Sequence, residues 1–126
     1  MCGILLVKST QELPLELHLK ALSILKSRGP DRTRYQYKNN IFIAQVVLHI
    51  TGIDQYYNAN HENFLAYNGE IYNYQALGAY TNDIEFVDDC VNSNSKTLAQ
   101  GWGPWAWAWT NGSTIRYGAD PQGEKT

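Results

Sequence analysis

Met1-Cys2-Gly3-Ile4 opens the chain with a residue that could do chemistry on its own. A small residue at position 2 permits removal of the initiator methionine. Cys2 would then carry a thiol and a free α-amino group together. A thiol is mostly protonated at neutral pH, whereas an α-amino group titrates at about 7.7 to 8.0 and can take the thiol proton there. That is a nucleophile with its own base, the logic of an N-terminal nucleophile. The same letters equally suit a small apolar residue opening a buried strand. Other chemistry-bearing stretches are ambiguous when taken singly. Ser27-Arg28-Gly29-Pro30-Asp31-Arg32 packs three charges around a turn and reads alone as a solvated loop. Asn68-Gly69 tolerates positive φ and reads alone as a hairpin turn. Glu70 and Asp83 read alone as solvated or helix-capping acids.

The elements that must position these residues follow from the hydrophobic pattern. At 126 residues the chain is expected to form one domain, and at 44% hydrophobic and 17% charged it is globular rather than disordered. A net charge of -2 gives no field for nucleic acid or an anionic membrane. Cys2 and Cys90 are too few for a disulfide framework. Ile4 to Val7 is too short for a signal sequence, and no stretch is long enough to span a bilayer. A cytoplasmic, reducing setting is the expectation, and it would suit a reactive Cys2.

Cys2 to Val7 is a continuous apolar run, the pattern of a strand buried on both faces. Ser9, Thr10 and Glu12 give a helix start, Pro14 fits a first turn, and Leu17, Ala21, Leu22 and Leu25 recur at helical spacing to about Lys26. Gly29-Pro30 stops that helix. Arg34 to Lys38 and Ile41 to Ile50 flank Asn39-Asn40 as a hairpin, and Thr51 to Asn63 reads as a polar surface loop. Phe64 to Tyr67 is a short strand, Asn73 to Thr81 has room for one helical turn, and Asp83 to Cys90 is a second helix. Trp105 to Trp109 alternates with period two, placing three indoles on one strand face and two alanines on the other, with either face free to be the buried one. Asn111-Gly112-Ser113 turns the chain into a last strand, Thr114 to Ala119. A mainly antiparallel sheet with flanking helices makes an α+β layered domain.

Taken in order, Met-Cys-Gly-Ile, Arg28-Gly29-Pro30-Asp31, Tyr67-Asn68-Gly69-Glu70-Ile71-Tyr72-Asn73-Tyr74, Asn82-Asp83-Ile84-Glu85 and Asp120-Pro121-Gln122-Gly123 resemble the class II glutamine amidotransferase domain. The likeness is nearest to the glutaminase half of asparagine synthetases. It implies an N-terminal-nucleophile hydrolase fold, two antiparallel sheets sandwiched between helical layers, here reduced in size and spanning 1–126 without a synthetase domain. It implies glutamine hydrolysis to glutamate and ammonia, with no cofactor and no metal, the ammonia passing to a separate synthetase subunit. By the same resemblance Cys2 is the nucleophile, and Asn68 with the backbone N–H of Gly69 forms the oxyanion hole. Glu70 and Asp83 hold the substrate α-ammonium, a task that suits carboxylates. Arg28 and Asp31 belong to a loop shaping the pocket.

Three departures stand beside the resemblance. Val47, in Val47-Leu48-His49-Ile50, occupies the place of an arginine that binds the α-carboxylate of glutamine. His49 lies two residues on, on the same strand face, and could bind substrate by charge or hydrogen bond, or could simply pack. Arg28, Arg32 and Arg34 are the other cations that could reach in. Gln75 to Thr81 is shorter than the matching family segment, and Gly118-Ala119-Asp120-Pro121 lacks the family's arginine. Two functions remain in view: a minimal glutamine amidohydrolase, or a non-hydrolysing domain of the same fold that binds a partner or another small amide, through Trp102, Trp105, Trp107 and Trp109.

Overall fold

A computed structural model describes residues 2–48, 63–93 and 97–124. Two three-stranded antiparallel sheets form its centre. The first takes β1 (Gly3–Lys8), β2 (Arg32–Lys38) and β3 (Ile41–Val47) in the order β1-β3-β2. The second takes β4 (Phe64–Gly69), β5 (Trp105–Thr110) and β6 (Ile115–Ala119) in sequence order. Helix α1 (Leu15–Leu25) runs into a 3-10 turn at Lys26–Arg28; α2 (Tyr74–Leu77) is a single turn, and α3 (Asp83–Ser93) precedes a 3-10 turn at Leu98–Gln100.

Period-two alternation sorts the side chains into three packed zones. Leu5, Val7, Phe42, Ala44 and Val46 face α1 and meet its Leu22 and Leu25. His18 of α1 stacks on Phe42 with ring centroids 4.6 Å apart. On the other face of the same strands, Ile4, Leu6 and Ile43 meet Phe64, Ala66 and Ala108 of the second sheet. The far face of that sheet supplies Leu65, Tyr67, Trp105 and Trp109 to a core shared with Phe86, Val87, Cys90 and Val91 of α3. The layer order is therefore helix, sheet, sheet, helix, and the α+β sandwich with flanking helices expected from the sequence is what forms. The Trp-Ala alternation serves both sides of β5. Indoles at 105 and 109 pack under α3, while Ala108 stands opposite Ala66 in register, so two methyl-sized side chains let the sheets approach.

Several local expectations are refined. β1 is covered on both faces but lies at a sheet edge, so its side chains from Ile4 to Val7 stay half-buried; the strand buried throughout is the central β3, from Ile41 to Val46. Ser9 does not cap α1: its hydroxyl donates to the Gln11 carbonyl, and the helix begins after Pro14. The hairpin turn is Asn39-Asn40, with φ of 52° and 60° at the two residues, and β3 ends at Val47. His49, Ile50 and the loop to Glu62 lie outside the described residues. β4 continues through Asn68 to Gly69, so the dipeptide is the end of the strand rather than a turn after it. α3 extends to Ser93, beyond the expected Cys90.

Candidate functional site

One end of the sandwich gathers the start of β1, the end of β3 and the end of β4. Gly3 pairs with Val46 in the last rung of the β1–β3 ladder and Val47 bridges to Pro30, while just before the strand lies Cys2. Its side-chain parity is that of Ile4 and Leu6, which face the second sheet. Asn68 has the parity of Phe64 and Ala66, which face back towards the first. Cys2 and Asn68 thus both look into the space between the sheets at this end, Cys2 half-buried and Asn68 buried. Among the described residues the Asn68 carboxamide takes no hydrogen bond.

Gly69 follows at φ 154°, and a Cβ there would fall 2.3 Å from the Pro104 carbonyl oxygen and 2.6 Å from Trp105 Cα. Only glycine fits this close crossing of β4 and β5. The next amide, Glu70 N–H, donates to Pro104 O at 2.9 Å, so Gly69 N–H has the opposite parity and points away from β5, to the free edge of β4.

Asp83 is placed by the start of α3. Asn82 Oδ1 accepts from Glu85 N–H at 2.9 Å, and Glu85 reaches back to the Thr81 N–H and hydroxyl, both at 2.8 Å, so the helix start is reciprocally capped. Asp83 Oδ2 accepts the Tyr67 hydroxyl at 2.8 Å and the Ile71 N–H at 3.0 Å. This ties the α3 terminus to both sides of the Asn68-Gly69-Glu70 segment. Burial pushes the Tyr67 hydroxyl far above the ordinary tyrosine range; the Asp83 charge and hydrogen bond, then the charges of Glu70 and Cys2, push the same way. Cys2, Glu70, Asp83 and Tyr67 therefore share one electrostatic neighbourhood. Glu70 is exposed.

The Arg28-Gly29-Pro30-Asp31 loop lies on the end of β3. A Cβ at Gly29 would sit 2.5 Å from Val46 C and Val47 N, and Asp31 N–H donates to Val47 O at 3.1 Å. The motif is thereby fastened to the end of β3, the strand that β1 pairs with. Arg28 lies along Gly3, and Arg32 pairs with Val47.

Two contributors were not singled out from the sequence. Gln45 is a buried amide in an otherwise apolar strand, a signal available in the letters. Its Nε2 donates to Tyr67 O at 2.5 Å, while its Oε1 accepts Arg34 Nη2 at 2.9 Å. Arg34 also donates to Leu65 O and stacks over Phe64 with 4.4 Å to the ring centroid. Together they cover the free edge of β4 and fix it to the first sheet. Tyr67, the other, immediately precedes the motif pair, but its bond to Asp83 spans 16 positions and has no local signature.

The remaining sequence features fall elsewhere. His49 lies outside the described residues. Asp120 accepts from Trp105 N–H at 3.2 Å and from Glu124 N–H at 3.1 Å, so the Asp120-Pro121 stretch is a turn pinned to β5. The four tryptophans do not make one surface: Trp105 and Trp109 are each 7% exposed, whereas Trp102 is 72% exposed. Trp105 and half-buried Trp107 instead help line a groove of about 420 Å³ with Cys90, Leu98, Arg116 and Gly118, beside α3. No group of three or more metal-type ligands occurs among the described residues, and no helix there is long and apolar enough to cross a membrane.

Comparison with known proteins identifies the family. The glutamine amidotransferase domain family matches residues 1–100. Asparagine synthetase B [glutamine-hydrolyzing] of Escherichia coli (strain K12) is 37% identical over 90 residues, which is 66% of this chain and 16% of that protein. The chain thus spans about a sixth of the length of the curated relative it matches. With a match over most of its length, and with Cys2, Asn68-Gly69 and Asp83 drawn to one end of a two-sheet sandwich, the chain belongs to the glutamine amidotransferase domain family.

Proposed function

We propose that the chain is a glutamine amidohydrolase in which Cys2, made N-terminal by removal of Met1, releases ammonia from glutamine through a thioester. The observation that carries this reading is the shared location of Cys2, Asn68, Gly69, Glu70 and Asp83, contributed by three separate elements. Packing against β5 accounts for Gly69, and the bonds to Tyr67 and Ile71 account for one oxygen of Asp83, but neither calls for Cys2, Asn68 and Glu70 beside them.

The Cys2 thiolate attacks the amide carbon, its α-amine having taken the thiol proton. The oxyanion that forms is met by the Asn68 carboxamide and the Gly69 N–H. Donors of this kind are worth roughly 3 to 4 kcal/mol each when aimed at developing charge. The carbon–nitrogen bond then breaks, the amine returns its proton, and ammonia leaves. Water adds to the glutamyl thioester, giving glutamate and restoring the thiol. Glu70 and Asp83 Oδ1 receive the substrate α-ammonium, since the Tyr67 hydroxyl and the Ile71 N–H both donate to Asp83 Oδ2. The ammonia acceptor is a synthetase site, by analogy with the glutamine-hydrolyzing relative.

A second reading, a domain of this family that binds an amide without hydrolysing it, draws on Val47, an apolar residue next to Val46, the β3 partner of Gly3. Ammonia release from glutamine separates the two. Turnover that falls at least about 1,000-fold in Cys2→Ala and about 100- to 1,000-fold in Asn68→Ala supports hydrolysis. An untouched background rate in both variants means that no hydrolysis occurs at this site.

A further inference from the structure

Trp105, Trp107 and Trp109 share one face of β5, yet their indole N–H groups are met differently. Trp109 Nε1 donates to Asn92 Oδ1 at 3.0 Å. Trp105 and Trp107, the two that line the groove beside α3, hold buried N–H groups that have no acceptor in the protein. We propose that this groove binds a small aromatic carboxylic acid, its ring against the indoles and its carboxylate between the Trp107 N–H and Arg116. The proposal does not depend on the chemistry at Cys2.

The register of the second sheet supplies the geometry. Gly118 stands opposite Trp107 in the β5–β6 ladder and itself lines the groove. Having no side chain, it lets the indole lie across β6: a Cβ there would fall 3.0 Å from Trp107 Nε1 and 3.3 Å from two ring carbons. The N–H edge of Trp107 is therefore at the groove wall. Arg116 sits two residues back on the same strand face, about 7 Å from Gly118 between α-carbons. The guanidinium is held towards α3, where it donates to Val91 O at 2.9 Å and lies 5.2 Å from the centroid of the Trp109 ring. Among the described residues that line the groove it is the one charged side chain, and no carboxylate opposes it.

The rest of the lining decides the class of occupant. Val91, Leu98, Trp105 and Trp107 give it apolar walls, and about 420 Å³ falls in the range of small-ligand pockets, roughly 300 to 1,000 Å³. A flat ring suits indole walls, by offset stacking or edge contact. Trp105 is only 7% exposed, so its unmet N–H is costly in the protein alone, and an acceptor brought by a ligand recovers that bond in surroundings where it counts for more than in water. A free amino acid fits worse, because its ammonium would find no acid in the lining. Charge and walls together point to an apolar anion.

The four indole N–H resonances of the ¹⁵N-labelled full chain provide the test, each assigned by its loss in a Trp→Phe variant. The chain is titrated with 2-naphthoate and, as the uncharged counterpart, with 2-naphthalenemethanol. The expected result is a saturable shift at Trp105 and Trp107, little change at Trp102 and Trp109, and affinity for the acid roughly 5- to 20-fold above that for the alcohol. Arg116→Gln should remove the preference for the acid, and Trp107→Phe should weaken acid binding roughly 3- to 10-fold, each in protein with an unchanged unfolding midpoint. No saturable shift, shifts as large at exposed Trp102 as at Trp107, equal affinity for acid and alcohol, or unaltered binding in the folded variants would overturn the proposal. Ammonia release plays no part in the readout, so the hydrolase reading stands or falls separately.

Discussion

Tyr67 shows how a single residue serves the cluster without being part of its chemistry. Its hydroxyl occupies one oxygen of Asp83, and burial together with that carboxylate holds it protonated well above the tyrosine range. The unfolded chain would release this proton near pH 10, before the folded chain does. Stability from this source is complete below about pH 10 and is lost as pH rises towards the folded value. Urea unfolding at pH 9, 10 and 11 should therefore show a decline in the wild type of up to about 1.4 kcal/mol per pH unit above pH 10 that is missing from Tyr67→Phe. Identical alkaline slopes would mean that the hydroxyl titrates normally. At pH 7 the same substitution should cost about 1.5 to 3 kcal/mol, the worth of a hydrogen bond to a charged acceptor.

At the scale of elements, the site depends on how β4 is held. β4 is an edge strand whose outward carbonyls at Leu65 and Tyr67 are covered by Arg34 and Gln45 from the neighbouring sheet. Replacing Arg34 with leucine leaves the Leu65 carbonyl and Gln45 Oε1 without that donor, an expected loss of about 2 to 4 kcal/mol in urea unfolding. A loss under about 0.5 kcal/mol would show that the two sheets hold together without the clasp. Elements were also where the sequence was most informative. The Asn39-Asn40 turn, the helical spacing in 15–25 and the Trp-Ala alternation each express a local rule, and each element formed within a few residues of its expected ends. Edge and centre were not legible. β1 and β3 are both apolar runs, and only the pairing of Ile41–Val47 with strands on either side tells them apart.

At the scale of the molecule, the four-layer stack brings residues 2, 68 and 83 to one end although they are far apart in the chain. Which residues to suspect could be read from short motifs: the terminal cysteine, Asn-Gly-Glu and the acid opening a helix. How they meet could not, because it depends on parity across two sheets and on contacts such as Tyr67 to Asp83. The tryptophan surface illustrates the converse. Period two gave the right alternation, but only the arrival of α3 on the indole face decided that Trp105 and Trp109 are core. The central claim is that a processed Cys2 faces a glutamine-shaped cleft. The most direct measurement is the intact mass of the purified protein before and after exposure to a diazo-ketone glutamine analogue, with Cys2→Ala alongside. The account predicts a species lacking Met1 that gains one adduct, absent from Cys2→Ala and suppressed by excess glutamine. Retained Met1, or a processed Cys2 that ignores the analogue, would contradict it.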